Sequence, residues 1–117
     1  MRIQWKHVGV VYKYTLTKDC PENGWVYIGE TRNEKKRRYD WSEENNKSYG
    51  GKSITQARDN YGVSSSTWEY EVIEYVFSDT PQQLQADLVD REKYHIAQYK
   101  NHSVNLFNGN SGGKGRG

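Results

Sequence analysis

The sequence predicts a single small domain of the α/β (α+β) class that combines three strands with three helices. Two runs, at residues 8–17 and 67–77, alternate with the period of two that is typical of half-buried strands. The apolar residues of a third run, 81–99, recur at helical spacing. At 117 residues the chain is long enough for one domain with a modest core.

The first strand and the next one form the expected hairpin. One side of the first strand carries Val8, Val10, Tyr12, Tyr14 and Leu16. The segment 18–24 contains a proline and an Asn-Gly dipeptide, which predict a turn, and a second strand follows at residues 25–29. The two strands most simply pair antiparallel, so that the hairpin carries both Tyr12 and Tyr27.

Two helices and the third strand follow the hairpin. Good helix formers predict a short helix at 33–41, and 42–52 is expected to be a surface loop. Ser53, with Gln56 three residues later, predicts the start of a second helix that Gly62 ends. In the third strand we expect Trp68, Tyr70, Val72 and Val76 on one side, and Ile73, Tyr75 and Phe77 on the other.

The last helix carries the most informative residue that physical chemistry alone identifies. Thr80-Pro81-Gln82-Gln83 is a capping box with proline at the first helical position, and the helix is predicted to continue to about Tyr99. Its buried stripe is formed by Leu84, Leu88, Glu92 and Ile96. A buried carboxylate requires a cation, a metal or a proton, so Glu92 is a candidate functional group. An ion pair with Arg37 or Arg38 is the structural alternative.

Composition limits the cofactors and the compartment that we expect. The single cysteine excludes an intramolecular disulfide, and with three scattered histidines it cannot form a zinc site. No apolar run approaches the roughly 20 residues of a membrane-spanning helix. We therefore expect an intracellular, cytoplasmic protein without a membrane partner.

Charge is distributed unevenly along the chain. Five basic residues and one acidic residue occupy positions 32–38, whereas 69–92 contains seven acidic residues and only Arg91 as a base. A basic face beside an acidic one suits an enzyme that holds both a phosphate backbone and a divalent cation. Taken alone, the pattern is explained more simply by two solvated faces.

The order of the motifs resembles the catalytic domain of the GIY-YIG nuclease family. The chain has a Gly-Val-Val-Tyr run ending at Tyr12, a Val-Tyr-Ile-Gly run around Tyr27, an arginine ten residues later, a helical glutamate, and a Val-Asn before Gly-Gly. The resemblance covers residues 8–113, and includes a middle helix ending in Tyr-Gly and a third strand. We expect a nuclease domain at 1–110 and a flexible tail or linker remnant at 111–117.

The resemblance implies a three-stranded antiparallel sheet flanked by helices that cleaves DNA with one Mg²⁺ or Mn²⁺ per site. By position, Tyr12 corresponds to the general base or water orienter and Tyr27 to the second-motif tyrosine. Arg37 corresponds to the phosphate-binding arginine and Glu92 to the metal ligand. Gly29 corresponds to a glycine that lets the backbone pass close to the site.

Further residues are expected to contact nucleic acid. They are Arg32, Lys35, Lys36, Arg38 and Asn105. Asn105 corresponds to the structural asparagine of the family, which ties down a loop near the site.

The chain departs from the family pattern at two positions. Val10-Val11 replaces a single isoleucine, which keeps the β-branched character of the strand. Trp41 stands where many members have histidine, so no imidazole is available there. His95, three residues after Glu92, could serve instead, although packing among aromatic residues is its simpler role.

Two other functions stay open at this point. A catalytically silent nucleic-acid-binding module would keep the fold and the basic face, but would not need a carboxylate that repels phosphate. A protein-interaction domain would use the tyrosines only as core, and would fail to bind DNA at low salt. A separate or C-terminal DNA-binding region, and a dimer for double-strand cleavage, are also compatible with the sequence.

Overall fold

The fold is an α+β arrangement of three strands and three helices. A computed structural model describes residues 7–43 and 52–108. In chain order these contain β1 (His7–Leu16), β2 (Val26–Thr31), α1 (Glu34–Ser42), α2 (Lys52–Tyr61), β3 (Trp68–Ser78) and α3 (Pro81–Asn101). Most of the predicted loop at 42–52 and all of the predicted tail at 111–117 lie outside the described residues.

The three strands form one antiparallel sheet in the order β2-β1-β3. The predicted hairpin is confirmed, with Tyr12 opposite Gly29 and Tyr14 opposite Tyr27. β3 pairs with the other edge of β1, which makes β1 the central strand. β2 is therefore an edge strand, and a short parallel bridge joins Val26 to Leu106 on its outer side.

Each face of the sheet is covered by a separate hydrophobic core. The aromatic core lies between the sheet and the helices α1 and α2. It contains Val10, Tyr12, Tyr14, Leu16, Tyr27, Trp41, Ile54, Ala57, Trp68 and Phe107. The aliphatic core lies between the sheet and α3, and contains Val11, Val26, Ile28, Val76, Leu84, Leu88 and Ile96. The predicted stripe of α3 is thus buried at its three apolar positions.

A bulge in the sheet changes two of the predicted strand faces. Val11 pairs with Glu74 but Tyr12 pairs with Val72, so β3 has one extra residue between these pairs. The extra residue reverses the alternation, and Val76 packs in the aliphatic core instead of beside Val72. Val8, predicted to be on the buried side of β1, is exposed, as is its cross-strand partner Phe77.

The helix termini agree with the predicted signals except at α2. The hydroxyl of Thr80 accepts a hydrogen bond of 3.0 Å from the Gln83 N–H, with Pro81 in the first turn. Gly62 has φ +84° directly after α2, as expected of a C-terminal glycine. Because α2 begins at Lys52, the predicted cap Ser53 is wrong and lies inside the helix. None of the helices in the described ranges is long and apolar enough to cross a membrane.

Candidate active site at the edge of β2

The short link between β2 and α1 positions Arg37. The hydroxyl of Thr31, the last residue of β2, accepts a hydrogen bond from the Asn33 N–H at 3.0 Å. The side chain of Asn33 in turn accepts from the Lys36 N–H at 3.1 Å and caps the helix. These local bonds hold the first turn of α1 against the end of β2. Arg37 follows on the next turn, partly buried and within electrostatic reach of Tyr27.

Tyr12 and Gly29 occupy one cross-strand position. The Tyr12 side chain is 1% exposed and lies over Gly29, its partner on β2. A Cβ atom built on Gly29 would stand 2.5 Å from the Tyr12 hydroxyl oxygen and 2.6 Å from its Cζ. Only glycine leaves room for this ring, because a buried phenol cannot move aside freely. The absence of a side chain at Gly29 thus makes room for the Tyr12 ring.

Tyr27 is a neutral phenol in this environment. It is 9% exposed, and its pKa is raised to about 12 by burial and then by the negative charge of Glu92. The positive charge of Arg37 opposes this shift, and Glu30 adds to it. Tyr27 therefore stays protonated at neutral pH and is suited to donate a hydrogen bond.

The carboxyl group of Glu92 is difficult to ionise in this environment. Burial raises the pKa of its carboxyl group to about 7, and the negative charge of Glu30 adds to the shift. Arg37 and Lys93 act in the opposite direction. No described residue forms a hydrogen bond or an ion pair with the Glu92 carboxyl group. The alternative of a direct ion pair with Arg37 or Arg38 is thus not what the structure shows.

The other predicted basic residues lie around α1. Arg32, Lys35 and Lys36 are exposed, and Lys36 pairs with Asp40 at 3.0 Å. Arg38 is exposed as well, and its guanidinium carbon lies 4.2 Å from the centre of the ring of Tyr70, which packs at the margin of the aromatic core.

The Arg38 guanidinium forms part of one wall of a cavity of about 380 Å³. Tyr14, Trp41 and Tyr70 line the same cavity. The predicted basic residues of α1 therefore lie on its outer face, and Arg38 also lines this cavity.

His95 lies with β3 and not with the site. Its Nε2 is 2.9 Å from the Glu74 carboxylate, which also accepts from Arg91 at 2.9 Å. Its ring packs edge-on against Tyr94. The expected packing among aromatic residues is thus only part of its role, and the alternative of a proton shuttle to Glu92 is not supported by these contacts.

The asparagine that ties the chain to β2 is Asn108 and not Asn105. The Asn105 side chain is exposed, and only its backbone carbonyl bonds β2, accepting from the Val26 N–H at 3.0 Å. The Asn108 side chain is buried and accepts from the Ile28 N–H at 2.9 Å. It also donates to the Ile28 carbonyl at 2.7 Å. The structure therefore shows a side-chain tie at Asn108, and the role expected of the Asn105 side chain stays a prediction.

The carboxylates of the site suit a cation that keeps part of its water shell. Glu30 lies on the α3 side of β2, where the Gln85 amide donates to its carboxylate at 3.2 Å. Across the described ranges, no three acidic, histidine or cysteine side chains form a closed metal cage. Mg²⁺ is commonly bound by one or two carboxylates together with waters and substrate phosphates. A half-buried Glu92 beside Glu30 fits such an open site.

Sequence reasoning missed Glu30, although a signal for it existed. With the period of two of β2, Val26, Ile28 and Glu30 share the face that α3 covers. A carboxylate at the next position of a face that already carries two buried apolar residues is as unusual as Glu92 in the apolar stripe of α3. For Asn108 no such signal was present, because the segment after α3 has no periodic pattern.

Comparison of the chain with models of known protein families, with characterised proteins and with solved structures found no match.

Proposed function

We propose that this protein is a metal-dependent endonuclease that hydrolyses phosphodiester bonds of DNA at the edge of β2. The observation that carries the proposal is the grouping of Glu92, Arg37 and Tyr27 around this edge. Burial and Glu30 raise the pKa of Glu92 while Arg37 opposes the shift, and the pKa of Tyr27 responds to Glu92 and Arg37, so the three side chains are within electrostatic reach of one another. Structural glutamates more commonly have a cation or a hydrogen-bond donor in direct contact.

The chemistry of phosphodiester hydrolysis suits these groups. Attack by water places additional negative charge on the non-bridging oxygens, and the Arg37 guanidinium can bind two of them. Glu92, with Glu30 beside it, would hold Mg²⁺ or Mn²⁺. When bound, the cation would stabilise the charge that develops and acidify a water molecule.

The two tyrosines have different tasks in this proposal. Tyr27, whose pKa is raised to about 12, donates a hydrogen bond to the phosphate or to the attacking water. Tyr12 is held by its fit over Gly29, and we assign its hydroxyl the orientation of the attacking water. A base role for Tyr12 would require a nearby cation, since a free phenol has a pKa of about 10.

Incubation of the purified protein with supercoiled plasmid in Mg²⁺, with an EDTA control, tests the proposal. Nicked or linear plasmid that is absent in EDTA is the expected result. Intact plasmid in Mg²⁺ and in Mn²⁺ would contradict it. Binding of the plasmid without cleavage would favour the catalytically silent module, and no binding at low salt would favour the protein-interaction domain.

A further inference from the structure

Residues 105–108 hydrogen-bond part of the outer edge of β2. Val26 donates to the Asn105 carbonyl at 3.0 Å, and its own carbonyl accepts from the Phe107 N–H at 2.8 Å. The next outward peptide group belongs to Ile28, and the Asn108 side chain satisfies both its N–H and its carbonyl. The segment after α3 therefore covers this edge as far as Ile28.

The next outward peptide group is that of Glu30. Outward and inward groups alternate along an antiparallel edge strand, and Gly29 points toward its partner Tyr12 on β1. No described residue hydrogen-bonds the Glu30 N–H. The Glu30 carboxylate is turned out of the plane of the sheet toward α3, where Gln85 donates to it. One N–H donor thus faces outward on β2, three residues after Tyr27, whose pKa responds to the charges of both Glu30 and Arg37.

The stretch of edge that the described residues leave without hydrogen bonds is too short to accept another strand. β2 ends at Thr31, which pairs inward with Val10, and α1 begins three residues later. An added strand would need several outward groups in succession, whereas this edge offers one residue. A single N–H beside an arginine instead matches a phosphate oxygen, and backbone N–H groups are frequent phosphate donors in DNA complexes.

We infer that the Glu30 N–H at the outer edge of β2 donates a hydrogen bond to a phosphate oxygen of the substrate strand. This oxygen belongs to the phosphate that Arg37 binds or to the phosphate next to it. This inference rests on the proposed function, because the ligand it names is DNA. It adds a backbone donor to a site whose other proposed phosphate contacts come from side chains and from a bound cation. The Asn108 side chain then has a second consequence, because the hydrogen bonds that the described residues make to this edge end at Ile28, two residues before the proposed binding position.

Comparison of Glu30→Pro with Glu30→Gln tests the inference. Both variants lose the carboxylate, but only Glu30→Pro loses the N–H. Proline is tolerated on an edge strand where the N–H points outward, and thermal unfolding checks that both variants fold. In Mg²⁺ we expect the affinity of Glu30→Pro for a short duplex to be about tenfold or more below that of Glu30→Gln.

The salt dependence separates this contact from an ionic one. Loss of Arg37 in Arg37→Ala should reduce the slope of log affinity against log salt concentration by about one. Loss of a neutral N–H should leave that slope unchanged, so Glu30→Pro and Glu30→Gln should give parallel lines. Equal affinities of these two variants, in a protein that cleaves DNA, would overturn the inference alone.

A second measurement does not depend on the proline variant. In Glu92→Gln protein, the amide of Glu30 should exchange rapidly with solvent in the free state, and should shift and become protected when the duplex is added. Protection in the free protein would overturn the inference, because the edge would already be occupied. Failure of the wild-type protein to bind the duplex would overturn the proposed function, and this inference with it.

Discussion

The carboxyl group of Glu92 lies on the buried stripe of α3, between Leu88 and Ile96. A leucine or an isoleucine at this position would extend the aliphatic core. The chain instead has a carboxyl group whose pKa is raised to about 7 by burial and by Glu30. Groups with strongly raised pKa values concentrate at functional sites, because such sites keep a charge that the fold alone does not need.

Glu92 should make the protein less stable as the pH rises. The folded protein keeps the proton of Glu92 up to about pH 7, whereas the unfolded chain releases it near 4.5. The free energy of unfolding should therefore fall between these pH values and level off above them, by an amount on the order of 3 kcal/mol. Glu92→Gln should lack this decrease and be the more stable protein at pH 8.

Urea unfolding in EDTA between pH 4.5 and 8 measures the effect. Glu69→Gln is the matched control, because Glu69 is an exposed carboxylate on β3. The same pH dependence in Glu92→Gln and in Glu69→Gln would contradict the assignment of the raised pKa to Glu92.

Tyr27 should act as a hydrogen-bond donor at every pH near neutrality. Its pKa is raised to about 12, so the phenol does not lose its proton between pH 6 and 9. Tyr27→Phe should lower the rate of plasmid cleavage about 10- to 100-fold without changing the shape of the pH–rate profile. Loss of an ionisation from that profile would show that Tyr27 acts as a base instead.

Gly29 should not tolerate a side chain. The Cβ of Gly29→Ala would stand 2.5 Å from the hydroxyl oxygen of the buried Tyr12. We expect a loss of roughly 1–3 kcal/mol in the free energy of unfolding, together with displacement of the Tyr12 ring. Chemical denaturation measures the first effect, and an unchanged unfolding free energy would refute the steric role of Gly29.

At the scale of elements, the segment after α3 acts as a clip on the outer edge of β2. Asn108→Ala would leave the buried N–H and carbonyl of Ile28 without partners. We expect it to lower the free energy of unfolding by about 2–3 kcal/mol and to speed amide exchange at Ile28. Asn105→Ala is the matched control, because that side chain is exposed and its backbone bond remains. Equal unfolding free energies for the two variants would contradict the clip.

The elements themselves follow closely from local sequence signals. The alternation of β1, the Asn-Gly turn and the capping sequence around Thr80 predict strands and helices within a few residues of their observed bounds. The bulge opposite Val11 and Tyr12 could not be predicted, since its position depends on how β3 packs against both cores. The tie between Asn108 and Ile28 joins residues 80 positions apart, and no local pattern announces it.

At the scale of the whole molecule, three layers bring the candidate site together. α1 lies on one face of the sheet and α3 on the other, with Trp41 in the aromatic core and Leu88 in the aliphatic core. Arg37 and Glu92 therefore approach the edge of β2 from opposite faces. The sequence predicts both residues separately, from a basic cluster and from a charged position in an apolar stripe. Their proximity depends on the layer order, which periodicity alone does not determine.

The most direct test of the proposed nuclease is the initial rate of plasmid nicking, measured against Mg²⁺ concentration in wild-type protein, Glu92→Gln and Glu69→Gln. We predict that the wild type and Glu69→Gln have equal rates and equal half-saturating Mg²⁺ concentrations. Glu92→Gln should lose at least about a thousandfold in rate at every Mg²⁺ concentration, since the carboxylate that holds the cation is gone. Nicking by Glu92→Gln at the wild-type rate and with the wild-type Mg²⁺ dependence would contradict the proposed site.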